Sequence, residues 1–324
     1  MATMGRTAAA IILSSFAFSQ GAPQTDIALA SKSPLQLARY VESHTVVDWD
    51  ALWSALGTRD PEVLYAPCGK GLENPCSTQV VTVSNPDQEI LIVQGVLIRR
   101  NDIYLRYLRT ANGDWQFAGE RRAFVDDNFP RRHEVMRLDG KPFLKICSGH
   151  SQTGGALMQE VEDWFDLTQP GFEPVFSFTA QGSLSPFGLA VGRTVHAQAV
   201  AHEALGLETI DLNLDVHFVG PRLDIAAAYV GIYERPSGEK TFSLRLAYSG
   251  LDRHAAIPRE DFEGLGGVDF SQLSNERLLF YAFPGLQKIA SGSDEDAKQW
   301  LRSVLRYAGD TPEKRTLSEL LAKH

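Results

Sequence analysis

From Thr209 to Phe218 the chain alternates without a break. Ile210, Leu212, Leu214, Val216 and Phe218 fall on one side, and Thr209, Asp211, Asn213, Asp215 and His217 on the other. A period of two marks a half-buried β-strand and sends all five apolar groups to one core. Such a strand must pair with others, and the sequence supplies them. Val80–Val83, Glu89–Gln94 and Ile103–Leu108 are rich in β-branched and aromatic residues. Pro174–Gln181, Gly192–Val200, Ile225–Tyr233 and Lys240–Tyr248 also read as strands. Between such runs stand strong turn signals: Asn85–Pro86–Asp87, Asn112–Gly113–Asp114, Asp139–Gly140 and Arg235–Pro236–Ser237–Gly238.

Tight turns join antiparallel neighbours, whereas parallel strands need long helical crossovers. The sequence therefore predicts a mainly β fold. Its antiparallel sheet either stays open, closes into a barrel or splits into a two-layer sandwich, with N-terminal and C-terminal helices. Ser33–Pro34 opens the first helix, serine as cap and proline at the first helical position, with Leu35, Leu37, Ala38 and Val41 as its apolar face. A second runs from Asp48 to Leu56, carries Trp49, Leu52 and Trp53 for packing on a sheet, and stops at Gly57. After Gly250 helical spacing returns over Ser271–Phe280, Asp294–Tyr307 and Pro312–Leu321. Ser293 is the expected cap of the middle one, with Asp294, Glu295 and Asp296 at the positive end of its dipole. The chain thus divides into a signal peptide (1–19), a flexible lead (20–33), N-terminal helices (34–57), an antiparallel β domain (58–250) and a C-terminal helical segment (251–324) packed on it.

The first residues carry the marks of export. Arg6 precedes the apolar run Thr7–Phe18, and Ala17 and Ser19 place small residues where signal peptidase reads. That run is shorter than the roughly 20 residues a membrane-spanning helix needs. The expectation is a soluble protein, secreted or periplasmic, with no membrane span. Cys68 and Cys76 bracket GKGLENP, a spacing suited to a local disulfide in an oxidising compartment, and leave Cys147 as a buried free thiol. A formal charge of −9 and the scattered pairs Arg121–Arg122 and Arg131–Arg132, read as solvated strand edges or turns, offer nucleic acid no footing. No Walker or dinucleotide glycine loop is present, so no cofactor is expected.

Reactive side chains concentrate in Lys141–Thr168, which contains Cys147, His150 and Ser151. Gly149–His150–Ser151–Gln152 reproduces the opening of the lipase-like G-H-S-Q-G pattern, but Thr153 stands where the second glycine belongs. As strand, turn and helix this stretch would present Ser151 as a nucleophile, with His150, Asp215, His217, Asp252 and His254 as candidate partners. As strand, turn and strand it is one hairpin of the β domain, and the hairpins around it favour that reading. A metal reading places His196, His202 and His217, with Asp215, on one polar sheet face. Glu160, Glu162 and Asp163 offer carboxylates, which an acidic strand flank explains as well. The leading functional reading is an exported module that binds a ligand or a protein; the alternative is a secreted serine hydrolase using Ser151. The disulfide expectation is checked by thiol titration of the denatured, unreduced mature protein, which should find one free cysteine of the three; a count of three would remove the bridge.

Overall fold

The computed structural model describes residues 33–43, 47, 49–56, 77–83, 87–94, 101–124, 132–138, 140–151, 157–184, 192–204, 206–220, 223–249, 256–266 and 274–323. The expected signal peptide and the Cys68–Cys76 bridge lie outside the described residues. Helices α1 (Pro34–Ser43) and α2 (Trp49–Leu56) precede a four-stranded antiparallel sheet of β1 (Ser77–Thr82), β2 (Gln88–Gln94), β3 (Asn101–Arg109) and β4 (Trp115–Phe124). An eight-stranded antiparallel sheet follows, its strands side by side in chain order. They are β5 (Arg132–Leu138), β6 (Lys141–Ser151), β7 (Leu157–Asp166), β8 (Phe176–Leu184), β9 (Gly192–Ala204), β10 (Leu207–Gly220), β11 (Leu223–Arg235) and β12 (Ser243–Ser249). Helices α3 (Arg259–Gly266), α4 (Asn275–Tyr281), α5 (Phe283–Ser291), α6 (Glu295–Tyr307) and α7 (Pro312–Lys323) complete the described chain.

The mainly β expectation holds, and the form it left open is now defined. The stretch at 141–168 is a hairpin: Phe143 faces Asp166, Cys147 faces Glu162 and Ser151 faces Met158 in antiparallel register. Residues 157–166 alternate as a strand, although their composition also suits a helix, because strands on both sides offer them hydrogen bonds. Both faces of this hairpin are covered. Leu144, Ile146 and Phe165 pack against Ile90, Ile92 and Tyr104 of the small sheet. Phe143 and Trp164 point the other way, into the main core. The small sheet is itself covered on its far side by Leu37, Val41, Trp49 and Leu52 of the leading helices. The result is a stack of helices, small sheet and large sheet, with the C-terminal helices on the opposite face of the large one.

The large sheet is strongly curled. Four strand spacings separate β7 from β11, about 19 Å if the sheet were flat. Yet Arg235, at the end of β11, reaches Asp166 at the end of β7, with Nη2 2.7 Å from Oδ2. Glu208 of β10 joins Arg235 and also pairs with Lys141 of β6. Phe242, just before β12, donates its backbone N–H to the carbonyl of Val175, just before β8, at 2.9 Å. The curl makes concave the face that carries Ile210, Leu212, Leu214, Val216 and Phe218. Helices close the far end of that face: Tyr229 donates its hydroxyl to the carbonyl of Tyr281, and Gly285 lies against Ile225 with no room for a side chain.

Two sheets are locked together through one buried cation. Arg106 of β3 is 1% exposed. Its guanidinium donates to the carbonyls of Leu167 at 2.7 Å, Gln169 at 2.8 Å and Gly171, all in the β7–β8 connection. A β-bulge after Arg106 and the positive φ of Gly119 (+149°) let Phe172 of the same connection come against the small sheet. The sequence reading missed this role, since Arg106 has the look of an ordinary strand cation. Arg132, 54% exposed at the start of the edge strand β5, and Arg121 are solvated as the sequence implies, and each also pairs with a buried carboxylate, Arg121 with Asp163 at 2.6 Å and Arg132 with Glu160. Among the helices, α6 is capped by Asp294, which accepts from the N–H of Ala297, one residue beyond the expected Ser293. Helices α3 and α5 were not read at all, because Gly264, Gly266, Pro284 and Gly285 interrupt their patterns.

Replacing Arg106 with Met keeps the length of the side chain but removes the donor to the carbonyls of Gln169 and Gly171 and one of two donors to that of Leu167, which keeps the Gln88 amide at 2.9 Å. It should cost about 3–5 kcal/mol of stability, read as a lower denaturant midpoint. A change below about 1 kcal/mol would show that the guanidinium does not hold the connection.

Candidate functional site

The curl and the helices leave part of the concave face unfilled. A cavity of about 510 Å³ lies between β8, β11, β12 and α3. Its lining is dominated by Phe176, Phe178, Tyr233, Phe242 and Phe262, with Leu212 and Leu244 beside them. The aromatic groups support one another. The ring of Phe176 lies 4.8 Å from Tyr233, 5.4 Å from Phe178 and 5.9 Å from Trp164, centroid to centroid. Such edge-on and offset contacts hold the rings in place. Gly231 has no side chain because the ring of Phe262 occupies that space. At the rim Arg259 and Glu263 form an ion pair of 2.8 Å. Burial, and after it the charge of Glu263, push the Tyr233 phenol up to about 12, so it stays a neutral donor at ordinary pH.

The cavity exists because β8 leaves its neighbour. Pairing between β8 and β9 covers Gln181–Leu184 against Arg193–His196. Below it, Phe176–Ala180 follow β7 instead, past a bulge at Glu160–Val161. The floor of the cavity opens where the two strands part.

A second cavity, of about 460 Å³, lies on the neighbouring part of the same face and is lined by Arg132, His133, Glu134, Lys145, Cys147 and Glu162. Its chemistry is ionic. Lys145 pairs with Glu134 at 2.7 Å and lies over the Trp164 ring, while Arg132 pairs with Glu160. Glu162 accepts the indole N–H of Trp164 at 2.5 Å and faces the Cys147 thiol, Sγ to Oε2 3.8 Å. Cys147 is free and buried, as the sequence reading held. Burial above all, and then the charges of Glu162 and Glu160, push its pKa up to about 12. The thiol is therefore protonated and weakly nucleophilic at neutral pH. Burial alone draws the pKa of His133 below the ordinary imidazole range.

The residues singled out from sequence lie elsewhere. Ser151 and His150 end β6, where only their backbone is described. Through the successive registers, Ser151 shares a row with Met158, Ser183, Thr194 and His217. It is therefore four strands from His217, about 19 Å along the sheet. Asp215 faces His196 across β9–β10, on the convex, solvent-facing side. Asp252 and His254 lie outside the described residues. On the convex side His196 and His217 have ring centroids 6.5 Å apart. His217 Nδ1 is 3.0 Å from Asp224 Oδ1, and His202 Nε2 is 3.5 Å from Asp211 Oδ1. Among the described residues no group of three or more His, Cys, Asp and Glu is disposed to hold a metal ion. No helix among them is long and apolar enough to cross a membrane.

Comparison of the chain with protein families, with curated proteins and with solved structures found no match. The site has to be read from its own chemistry.

Cys147 provides a check on the electrostatics. At about pH 8 an ordinary exposed thiol is partly ionised, whereas this one is not. Iodoacetamide should alkylate the folded protein at Cys147 at least about a hundredfold more slowly than the unfolded chain, followed by mass spectrometry. The linkage runs against folding at high pH: the unfolded thiol gives up its proton first, so stability should fall as pH rises from the ordinary thiol range toward about 12. That fall should be smaller in Cys147→Ala.

Proposed function

We propose that the protein is an exported module that binds a small apolar ligand in the aromatic cavity of its concave face. The observation that carries this reading is the cavity itself: about 510 Å³, open on one side and lined by five aromatic residues of the sheet and of α3. Ligand sites fall in this size range, are largely apolar, and carry a few polar groups that fix orientation. Here the polar groups are the Tyr233 phenol and the Arg259–Glu263 pair at the rim. Apolar walls around an unfilled volume forgo dispersion contacts that a ligand restores. Export is supported by the sequence alone, through Arg6, the apolar run that follows and the small residues Ala17 and Ser19.

The hydrolase alternative draws no support from the concave face. A catalytic serine of the lipase type sits on a sharp strand-to-helix turn, and Ser151 ends one strand of a hairpin.

The neutral dye N-phenylnaphthylamine, which brightens in apolar surroundings, tests the reading. One dye per chain should bind with micromolar affinity. Leu244→Trp, which fills the cavity from β12, should abolish the brightening while the far-ultraviolet circular dichroism stays that of a β protein. Absence of binding in the native protein, or binding that survives Leu244→Trp unchanged, would reject the cavity as the site.

A further inference from the structure

The two cavities of the concave face share a wall. Glu162 lines the ionic one and Phe178 the aromatic one, and they are direct partners across the β7–β8 ladder. In the next row Lys145, Trp164 and Phe176 stand side by side in the same way. Cross-strand partners lie about 5 Å apart at Cβ. A ring seated against Phe178 is therefore one short arm's length, on the order of 5–7 Å, from the Glu162 carboxylate.

The charges of the ionic cavity do not cancel. Arg132 is taken by Glu160 and Lys145 by Glu134. Glu162 meets an indole N–H and a thiol, both neutral, and no cation pairs with it among the described residues. The thiol, protonated at neutral pH, adds no second negative charge beside the carboxylate. What remains is one carboxylate, held in place by Trp164, beside an apolar cavity. Partly buried carboxylates favour a cation within a few ångströms, and a charge-assisted hydrogen bond to an ammonium is about twice as strong as a neutral one.

We propose that the ligand is an amphipathic amine, its apolar body in the aromatic cavity and its ammonium group on the Glu162 carboxylate. This rests on the cavity reading above and adds the chemical class. Trp164 has a positioning role: its N–H fixes Oε1 of the carboxylate, and Oε2, whose neighbour is the neutral Cys147 thiol at 3.8 Å, is the oxygen that takes the ammonium. Arg132 and Lys145, on the far side of Glu162 from Phe178, are engaged by Glu160 and Glu134 and so draw an anionic head only weakly, while Glu162 repels it.

Three probes with one body separate the terms: naphthylethylamine, naphthylethanol and naphthylacetate, each competing with N-phenylnaphthylamine near neutral pH. The amine should displace the dye at a concentration about tenfold below the alcohol, with the carboxylate weakest. In Glu162→Gln, which keeps an acceptor for Trp164, amine and alcohol should become equal while the dye binds as before. In the native protein the amine's advantage should shrink as salt is raised, a readout that needs no variant. Equal affinity of amine and alcohol in the native protein, or an advantage that survives Glu162→Gln or high salt, overturns the proposal while leaving the cavity reading intact. Failure of the dye itself to bind removes both.

Discussion

The contact of Arg235 with Asp166 sets the shape on which the rest depends. An eight-stranded meander has no intrinsic need to bring its seventh strand back to its third. Here a buried guanidinium joins the two, shares Glu208, and lies over the rings of Phe143 and Phe242 at 5.6 and 4.9 Å. A buried ion pair is weak as a source of net stability, because desolvation offsets most of the attraction. Its value is in specifying geometry: removing either partner leaves a charge stranded in the core, so flatter forms of the sheet are disfavoured. The closure then dictates where side chains have room. The ends of β7, β10 and β11 meet, helices plug the opposite end, and the space between them is the aromatic cavity.

The β6–β7 hairpin is the other fixed point. It is buried on both faces, by Leu144, Ile146 and Phe165 toward the small sheet and by Phe143 and Trp164 toward the main core. Antiparallel strands commonly keep one face in water, and a hairpin covered twice gives up that option. Lys145, Cys147 and Glu162 are consequently held beside a core, Lys145 by an ion pair with Glu134 and Glu162 by the Trp164 N–H and the Cys147 thiol. Arg106 secures the same region from the small sheet by bonding the carbonyls of the connection that follows β7. The ionic cavity thus stands on a hairpin covered on both faces, where a recognition surface has little to order on binding.

Much of the fold was legible in the sequence, and for a physical reason. The period-two pattern of Thr209–Phe218 and the turn residues around Gly113, Gly140 and Gly238 are local signals, and these glycines do adopt positive φ. They specify antiparallel hairpins without reference to distant parts of the chain. Capping residues located α1 and α6 to within a residue because they act within a single turn. The helices that were missed, α3 and α5, owe their existence to packing: Phe262 fills the space over Gly231, and Gly285 meets Ile225. A residue pattern cannot report contacts whose partners are 31 and 60 positions away.

The candidate site was less legible. Reactive residues drew attention to His150, Ser151 and the histidines of β9 and β10, while the cavities are built from Phe176, Phe178, Tyr233, Phe242 and Glu162. In the sequence those aromatics are indistinguishable from core residues, and within the core most of them remain. Only the departure of β8 from β9, the return of β12 toward β8 and the insertion of α3 turn five of them toward an open volume. By itself the sequence determined a mainly β fold with antiparallel neighbours, the strands with unbroken alternation and the helices at both ends, since each follows from alternation, turns and spacing along the chain; that 157–166 is a strand took its neighbours to decide. The tertiary structure alone decided how far the sheet curls and therefore which faces meet, because curvature is set by contacts such as Arg235 with Asp166, 69 residues apart, to which no local pattern is sensitive.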